Sequence, residues 1–210
     1  KLGMLQRHRE LFIALAFTAL AACSTNELKD VTEQTSAATG QASVAYDFTT
    51  QSAAANWSVQ NDTVMGGVSQ SSRTWVNKQL VFAGNLSLDN NGGFVSCFGP
   101  VDEKLPSLMN ASSAIRIRAT GDGKTYLFQL RGNDGTNYVQ RFTSTAKKDQ
   151  VYELPLSDFT AVDWRLMEIA DAPAMNTNNI YQMGIYLVDK QTGPFRIAIT
   201  SIDINPQSSL

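Results

Sequence analysis

The residue types best suited to chemistry fall within one short run, "NDTVMGGVSQ" from Asn61 to Gln70, which holds an Asn-Asp pair, a hydroxyl and two glycines. Three kinds of site use such parts. A phosphate cradle would need a Lys-Ser/Thr after the glycines and a strand-loop-helix setting, and neither is present. A catalytic loop would rest on Asp62 and Thr63, with only another carboxylate to act as base. A structural turn would use Gly66 and Gly67 to bend the chain between strands, and the spacing favours this reading. Asp62 is the residue in the run with scope for a role beyond structure.

The rest of the inventory narrows the chemistry. The sequence has one histidine, His8, within an N-terminal segment that reads as removable. A chain without it has no Ser-His-Asp or Cys-His nucleophile system and no imidazole-ligated zinc. Of the two cysteines, Cys23 reads as a lipidation site and Cys97, in "GGFVSCF", as an apolar strand residue. Carboxylate chemistry, oxygen-ligated calcium or binding without catalysis remain. A glycosidase needs two carboxyl groups at a set separation, and Asp62, Asp122, Asp158 and Glu168 are available, but nothing in the sequence pairs them. Asn61, Asp62, Asn91 and Asp122 would offer calcium an oxygen shell if their loops met; the same residues serve as turn caps that bond their own backbone. The expectation is a non-enzymatic protein with no metal and no cofactor.

A second set of candidates lies on strands. In "AIRIRA", Arg116 and Arg118 stand opposite Ile115 and Ile117; in "YLFQLR", Gln129 and Arg131 stand opposite Phe128 and Leu130. If the two strands are neighbours, these four residues share one face, with Gln140 or Arg141 joining them. Guanidinium and amide groups in such an array suit carboxylates or sugar hydroxyls. The alternative is a solvated outer face with cross-strand charge pairs. Trp75, Trp164 and Tyr186 could add a stacking platform or belong to the core.

The elements that must position these groups show a period of two. Leu80, Phe82, Leu86 and Leu88 face one way, as do Tyr126, Phe128 and Leu130, Met183, Ile185 and Leu187, and Phe195, Ile197 and Ile199. "NNGG", "GDGK", "GNDGT" and "TGP" punctuate them with residues that tolerate positive φ, and no long helical stripe appears. Short strands spaced by turns predict an all-β fold, a jelly-roll β-sandwich.

Outside this domain the sequence reads as an export and anchoring device. Lys1, Arg7 and Arg9 precede the uncharged run Leu11 to Ala22, which falls short of the roughly 20 helical residues a bilayer needs and has the length of a secretory signal core. Leu20-Ala21-Ala22-Cys23 then resembles a bacterial lipobox, with cleavage before Cys23 and acylation of that residue. Residues 1–22 are thus expected to be a signal peptide and 23–45 a lipidated cysteine and flexible tether poor in large apolar residues. Residues 46–206 form the folded domain. Several acyl chains anchor firmly, and Ser24 favours the outer membrane, facing the periplasm. Without residues 1–22, the 17 Lys+Arg and 19 Asp+Glu fall to 14 and 18, a net charge of −4. No basic run suggests nucleic acid.

The run Trp57 to Ser69 is followed by "LVFAGNLSLDNNGGFVS", "IRIRATGDGKTYLFQLR", "ELPLSDF" and "GPFRIAITSI". In this order the series resembles the complex I intermediate-associated protein family across about residues 46–204. The resemblance implies a fold similar to galactose-binding-like β-sandwiches and a non-enzymatic role, since mitochondrial members assist respiratory complex I assembly. An outer-membrane lipoprotein would depart from that setting. The partner expected is therefore a protein, in an assembly or chaperone-type role, or a glycan bound at the cell envelope.

Overall fold

The computed structural model describes residues 43–206; the signal segment, Cys23 and most of the tether lie outside the described residues. The strands run in chain order β1 (Ser43–Asp47), β2 (Ser58–Asn61), β3 (Gln70–Val76), β4 (Gln79–Leu86), β5 (Val95–Phe98), β6 (Ser112–Thr120), β7 (Thr125–Gly132), β8 (Asn137–Thr143), β9 (Asp149–Pro155), β10 (Thr160–Val162), β11 (Ile180–Leu187) and β12 (Gly193–Pro206). Two short helices, α1 (Gln51–Ala55) and α2 (Leu105–Asn110), interrupt them. Among the described residues no helix is long and apolar enough to cross a membrane.

The strands form two antiparallel sheets. The first has the order β3-β4-β12-β6-β9, with β1 continuing the β4 side of the long β12; the second has the order β10-β8-β7-β11-β5-β2. Alternation decides what lies between them. Leu80, Phe82, Ile115, Ile117, Ile197 and Ile199 of the first sheet meet Tyr126, Phe128, Leu130, Met183, Ile185 and Cys97 of the second in one buried cluster. The architecture is the jelly-roll β-sandwich that the period of two predicts.

One expectation and one alternative need correction. Leu88 does not share the inward face of β4: the strand ends at Leu86, and Leu88 is 41% exposed. The outward residues of β7 are also not a solvated row. Leu127 and Gln129 are buried, because Leu127, Val139, Val162 and Val188 form a second cluster covered by Phe94, Leu166 and Tyr186. The outer face of the second sheet is thus partly roofed, which a two-residue period cannot reveal.

Candidate functional site

Asp62 is fully buried, in a single 3-10 turn that follows β2. Its Oδ1 accepts the Ser69 amide at 2.9 Å, and its Oδ2 accepts the Ser69 hydroxyl at 2.5 Å and the Gly93 amide at 2.7 Å. Burial alone would raise its pKa, but the hydrogen bonds from Ser69, Gly93 and Phe94 outweigh burial and hold the carboxyl below its ordinary 3.8. The nearby glycines follow from this carboxylate. A Cβ at Gly67 would lie 2.4 Å from Asp62 Oδ1, and one at Gly92 would lie 2.6 Å from Oδ2. Gly66 meets a different need, with φ at 91° where the turn ends. The "NDTVMGG" and "NNGGF" blocks therefore converge, as the loop-cluster expectation required, but around a closed carboxylate with no oxygen facing solvent.

Asp122 does not join them. Its Oδ2 accepts the Arg196 amide at 2.8 Å and the Tyr126 hydroxyl at 3.1 Å, and its Oδ1 accepts the Lys124 amide at 2.9 Å. These partners have no residue in common with those of Asp62, while Asn91 is exposed in its own turn. Gly121, Asp122 and Ser144 brace the corner where the chain leaves β6 for β7 in the opposite sheet; a Cβ at Gly121 would lie 2.2 Å from that of Ser144. Burial, reinforced by the Asp122 carboxylate, pushes the Tyr126 phenol upward. The four-residue oxygen shell of the calcium reading does not assemble, because Asp62 and Asp122 each hold separate backbone corners.

The shared arginine face also needs correction. β6 pairs with β12 and β9 in the first sheet, whereas β7 pairs with β11 and β8 in the second. Arg116 and Arg118 therefore stand on one outer surface, and Gln129 and Arg131 on the other. Arg116 Nε donates to Glu153 at 2.7 Å, and Arg118 donates to Asp149 at 2.9 Å from Nη2. Both are exposed cross-strand pairs, which water screens and which contribute little.

Arg131 has different surroundings. Its guanidinium lies 3.6 Å from the centroid of the Phe98 ring, a contact worth about 1 kcal/mol for a partly desolvated pair. Nε faces Gln129 Oε1 at 3.4 Å, Nη1 faces Gln182 Oε1 at 3.1 Å and Nη2 faces the Tyr186 hydroxyl at 3.5 Å. Gln182 is fixed in turn by its Nε2, which donates to the Gly99 carbonyl at 2.7 Å. Register explains the gathering: Arg131 stands opposite Gln182, and Gln129 and Phe98 flank Gly184 from the two sides of β11. Gly184 is a necessary gap, since a Cβ there would come within 2.2 Å of the Phe98 ring. Tyr186 packs edge-on against Phe98 at 5.2 Å and lies near Phe94 at 6.4 Å. Planar donors, a fixed cation and aromatic edges thus share one patch. It can read a hydrogen-bonding anion or a polar planar group, and it carries no nucleophile or base.

The other candidates disperse. Trp75 is half-buried on the first sheet, where its indole donates to the Phe48 carbonyl at 2.8 Å, and Trp164 stands 77% exposed beside Arg165. Only Tyr186 of the three aromatics reaches the Arg131 patch. Arg141 shares the outer face with Arg131 but is paired with Asp189 at 2.8 Å. Gln140 and Arg141, with Asp158 and Glu168, line a separate cleft of about 300 Å³. Both carboxylates there are exposed, unlike a glycosidase acid in an apolar pocket. Sequence reasoning missed Phe98 and Gln182. Alternation from the inward Cys97 and Met183 would have turned both outward, but no local signal places them beside Arg131.

The fold is a jelly-roll β-sandwich with solved counterparts. The family 11 carbohydrate-binding module of a cellulosomal cellulase from Clostridium thermocellum is 12% identical with a TM-score of 0.59, over 80% of this chain and 95% of that one. A Clostridium thermocellum family 11 module in complex with a β-1,3-1,4-mixed-linked tetrasaccharide is 12% identical with a TM-score of 0.53, over 74% and 92%. An agarase is 10% identical with a TM-score of 0.57, over 80% of this chain and 25% of its own. At such identities the likeness is one of fold. Comparison with curated protein sequences gives no match. The sequence profile of Complex I intermediate-associated protein 30 matches residues 46–199, and the chain belongs to that family.

Proposed function

We propose that this protein is a lipid-anchored, non-catalytic accessory factor that binds a protein partner in an assembly or chaperone-type role. The observation that carries the reading is the Arg131 patch: a fixed cation, two amides and a phenol on the outer face of the second sheet, in a chain of the complex I intermediate-associated family. Tyr and Arg are the residue types that dominate binding energy at protein interfaces. Catalysis is disfavoured by the histidine-free domain and by the bonds that occupy Asp62 and Asp122. The resemblance of Leu20 to Cys23 to a lipobox supports anchoring through Cys23, and Ser24 favours the outer membrane, facing the periplasm.

The test is cross-linking of the protein in its own envelope, followed by affinity capture and mass spectrometry. Recovery of one defined protein, lost with Arg131→Gln, is the expected result; recovery of respiratory-complex subunits would place the role with the family's namesake activity. Cys23→Ser should release the folded domain into the soluble fraction, and its retention on membranes after alkaline washing would refute the anchor.

A second reading, a carbohydrate-binding module at the cell envelope, is favoured by the planar donors of Arg131 beside the Tyr186 hydroxyl, which suit sugar hydroxyls. Glycan-array binding that depends on Arg131 would support it over the first.

A further inference from the structure

We infer that Arg131 is the specificity determinant of the binding face and that it reads a carboxylate side chain in an acidic segment of the partner protein; the inference rests on the accessory-factor reading above. Arg116, Arg118, Arg141 and Arg165 each donate to a carboxylate at 3.0 Å or less. Among the described residues Arg131, Arg73 and Arg196 have none, and of these only Arg131 is seated on an aromatic ring. Its three contacts are to neutral oxygens at 3.1–3.5 Å, longer than the roughly 2.9 Å of a well-made bond. A guanidinium has five donors, so the fork is only partly satisfied.

The same contacts fix its orientation. Phe98 supports one face of the guanidinium at 3.6 Å, Gln182 is itself tied to the Gly99 carbonyl, and Gln129 is buried. An unpaired arginine on an open surface would sample many rotamers; this one is held in one orientation, with long contacts that a carboxylate's charge-assisted bonds would exceed in strength. Charge complementarity therefore selects an anion, and the planar fork matches the two oxygens of a carboxylate. Neither the Asp158 and Glu168 cleft nor the larger one bordered by Met175 includes Arg131. The Phe98 ring, Gln129, Gln182 and Tyr186 pack directly around the guanidinium, and its unmet need is for negative charge, which favours an acidic protein segment over a neutral glycan.

The test uses the full chain in detergent, titrated by fluorescence anisotropy with a labelled glutamate-rich peptide and, in parallel, with polygalacturonate. Peptide binding that weakens at least tenfold in Arg131→Gln and in Arg131→Lys, but not in Arg118→Gln, is the expected result. Arg131→Lys keeps the charge and the apolar stem, so matched thermal unfolding curves exclude misfolding as the cause. No peptide binding, or binding indifferent to Arg131, overturns the inference; if the envelope cross-link to a protein persists in that case, the accessory reading stands without it. Binding of polygalacturonate alone, with no protein cross-link, overturns both.

Discussion

The Gly93 amide donates to Asp62 Oδ2 at 2.7 Å across 31 residues of chain. Through this bond, the two most recognisable blocks of the sequence become a single object. The Asn-Asp block supplies the carboxylate, the Asn-Gly-Gly-Phe block supplies amides, and Ser69 locks the pair from the side while its hydroxyl also accepts the Ser87 amide at 2.9 Å. Gly67 and Gly92 keep the space that the carboxylate fills.

Removal of that carboxylate should be among the most damaging single changes. Asp62→Ala strands the Ser69 and Gly93 amides without partners, and a loss of about 3 kcal/mol is expected from such buried, charge-assisted bonds. Urea unfolding checks it. Gly67→Ala should also destabilise, because its Cβ would strike the carboxylate at 2.4 Å. Gly66→Ala meets no neighbour within 4 Å, so only the backbone strain of about 1–2 kcal/mol at positive φ applies.

The same carboxyl gives stability a pH dependence of known sign. Its folded pKa lies below the ordinary 3.8, so its contribution is fully present above that value and is lost as pH falls through the lower folded one. Unfolding free energies measured from neutrality into acid should decline, and Asp62→Asn should flatten that acid limb from a lower starting point. An unchanged acid limb in the variant would refute the assignment.

Cys97 should be chemically silent. Its side chain is buried in the inter-sheet core, and burial pushes its thiol up to about 12, with Arg73 pulling the other way. In a Cys23→Ser protein, where Cys97 is the only thiol, maleimide labelling at neutral pH should proceed at the rate of unfolding. Labelling as fast as a free thiol would contradict this burial.

The two outer surfaces should respond differently to charge removal. Arg118→Ala breaks an exposed pair with Asp149 and should leave both the unfolding midpoint and partner capture unchanged. Arg131→Gln should reduce capture. Equal effects on capture would mean that the first sheet also meets the partner.

Strand content was readable from period two because each inward residue packs against the opposite sheet. Ile115 and Ile117, Met183 and Ile185, and Phe195 and Ile197 all went where alternation put them. The allocation of strands to sheets was not readable. Thr120 and Thr125 flank a four-residue connection rich in turn residues, which locally resembles a hairpin, yet β6 and β7 lie in different sheets. That outcome depends on pairings over long stretches of chain, such as Ile117 with Ile202, and no window of sequence encodes them. The arginine grouping failed for this reason. The bonding of Asp62 was half legible: the glycines announced a constrained turn and Ser69 lies within the same run, but the Gly93 amide that completes the closure comes from a block about 30 residues away.

β12 has a consequence for how the domain is made. It is the last strand of the domain, and it lies at the centre of the first sheet, where it joins β4 and β1 on one side to β6 on the other. Until Gly193 to Pro206 have emerged from the ribosome, β4 and β6 have no neighbour in common and the inter-sheet core has no Ile197, Ile199, Ile202 or Ile204. The first sheet can therefore be completed only when the last strand of the domain is in place, so closure of the sandwich is tied to the final part of the domain to be made.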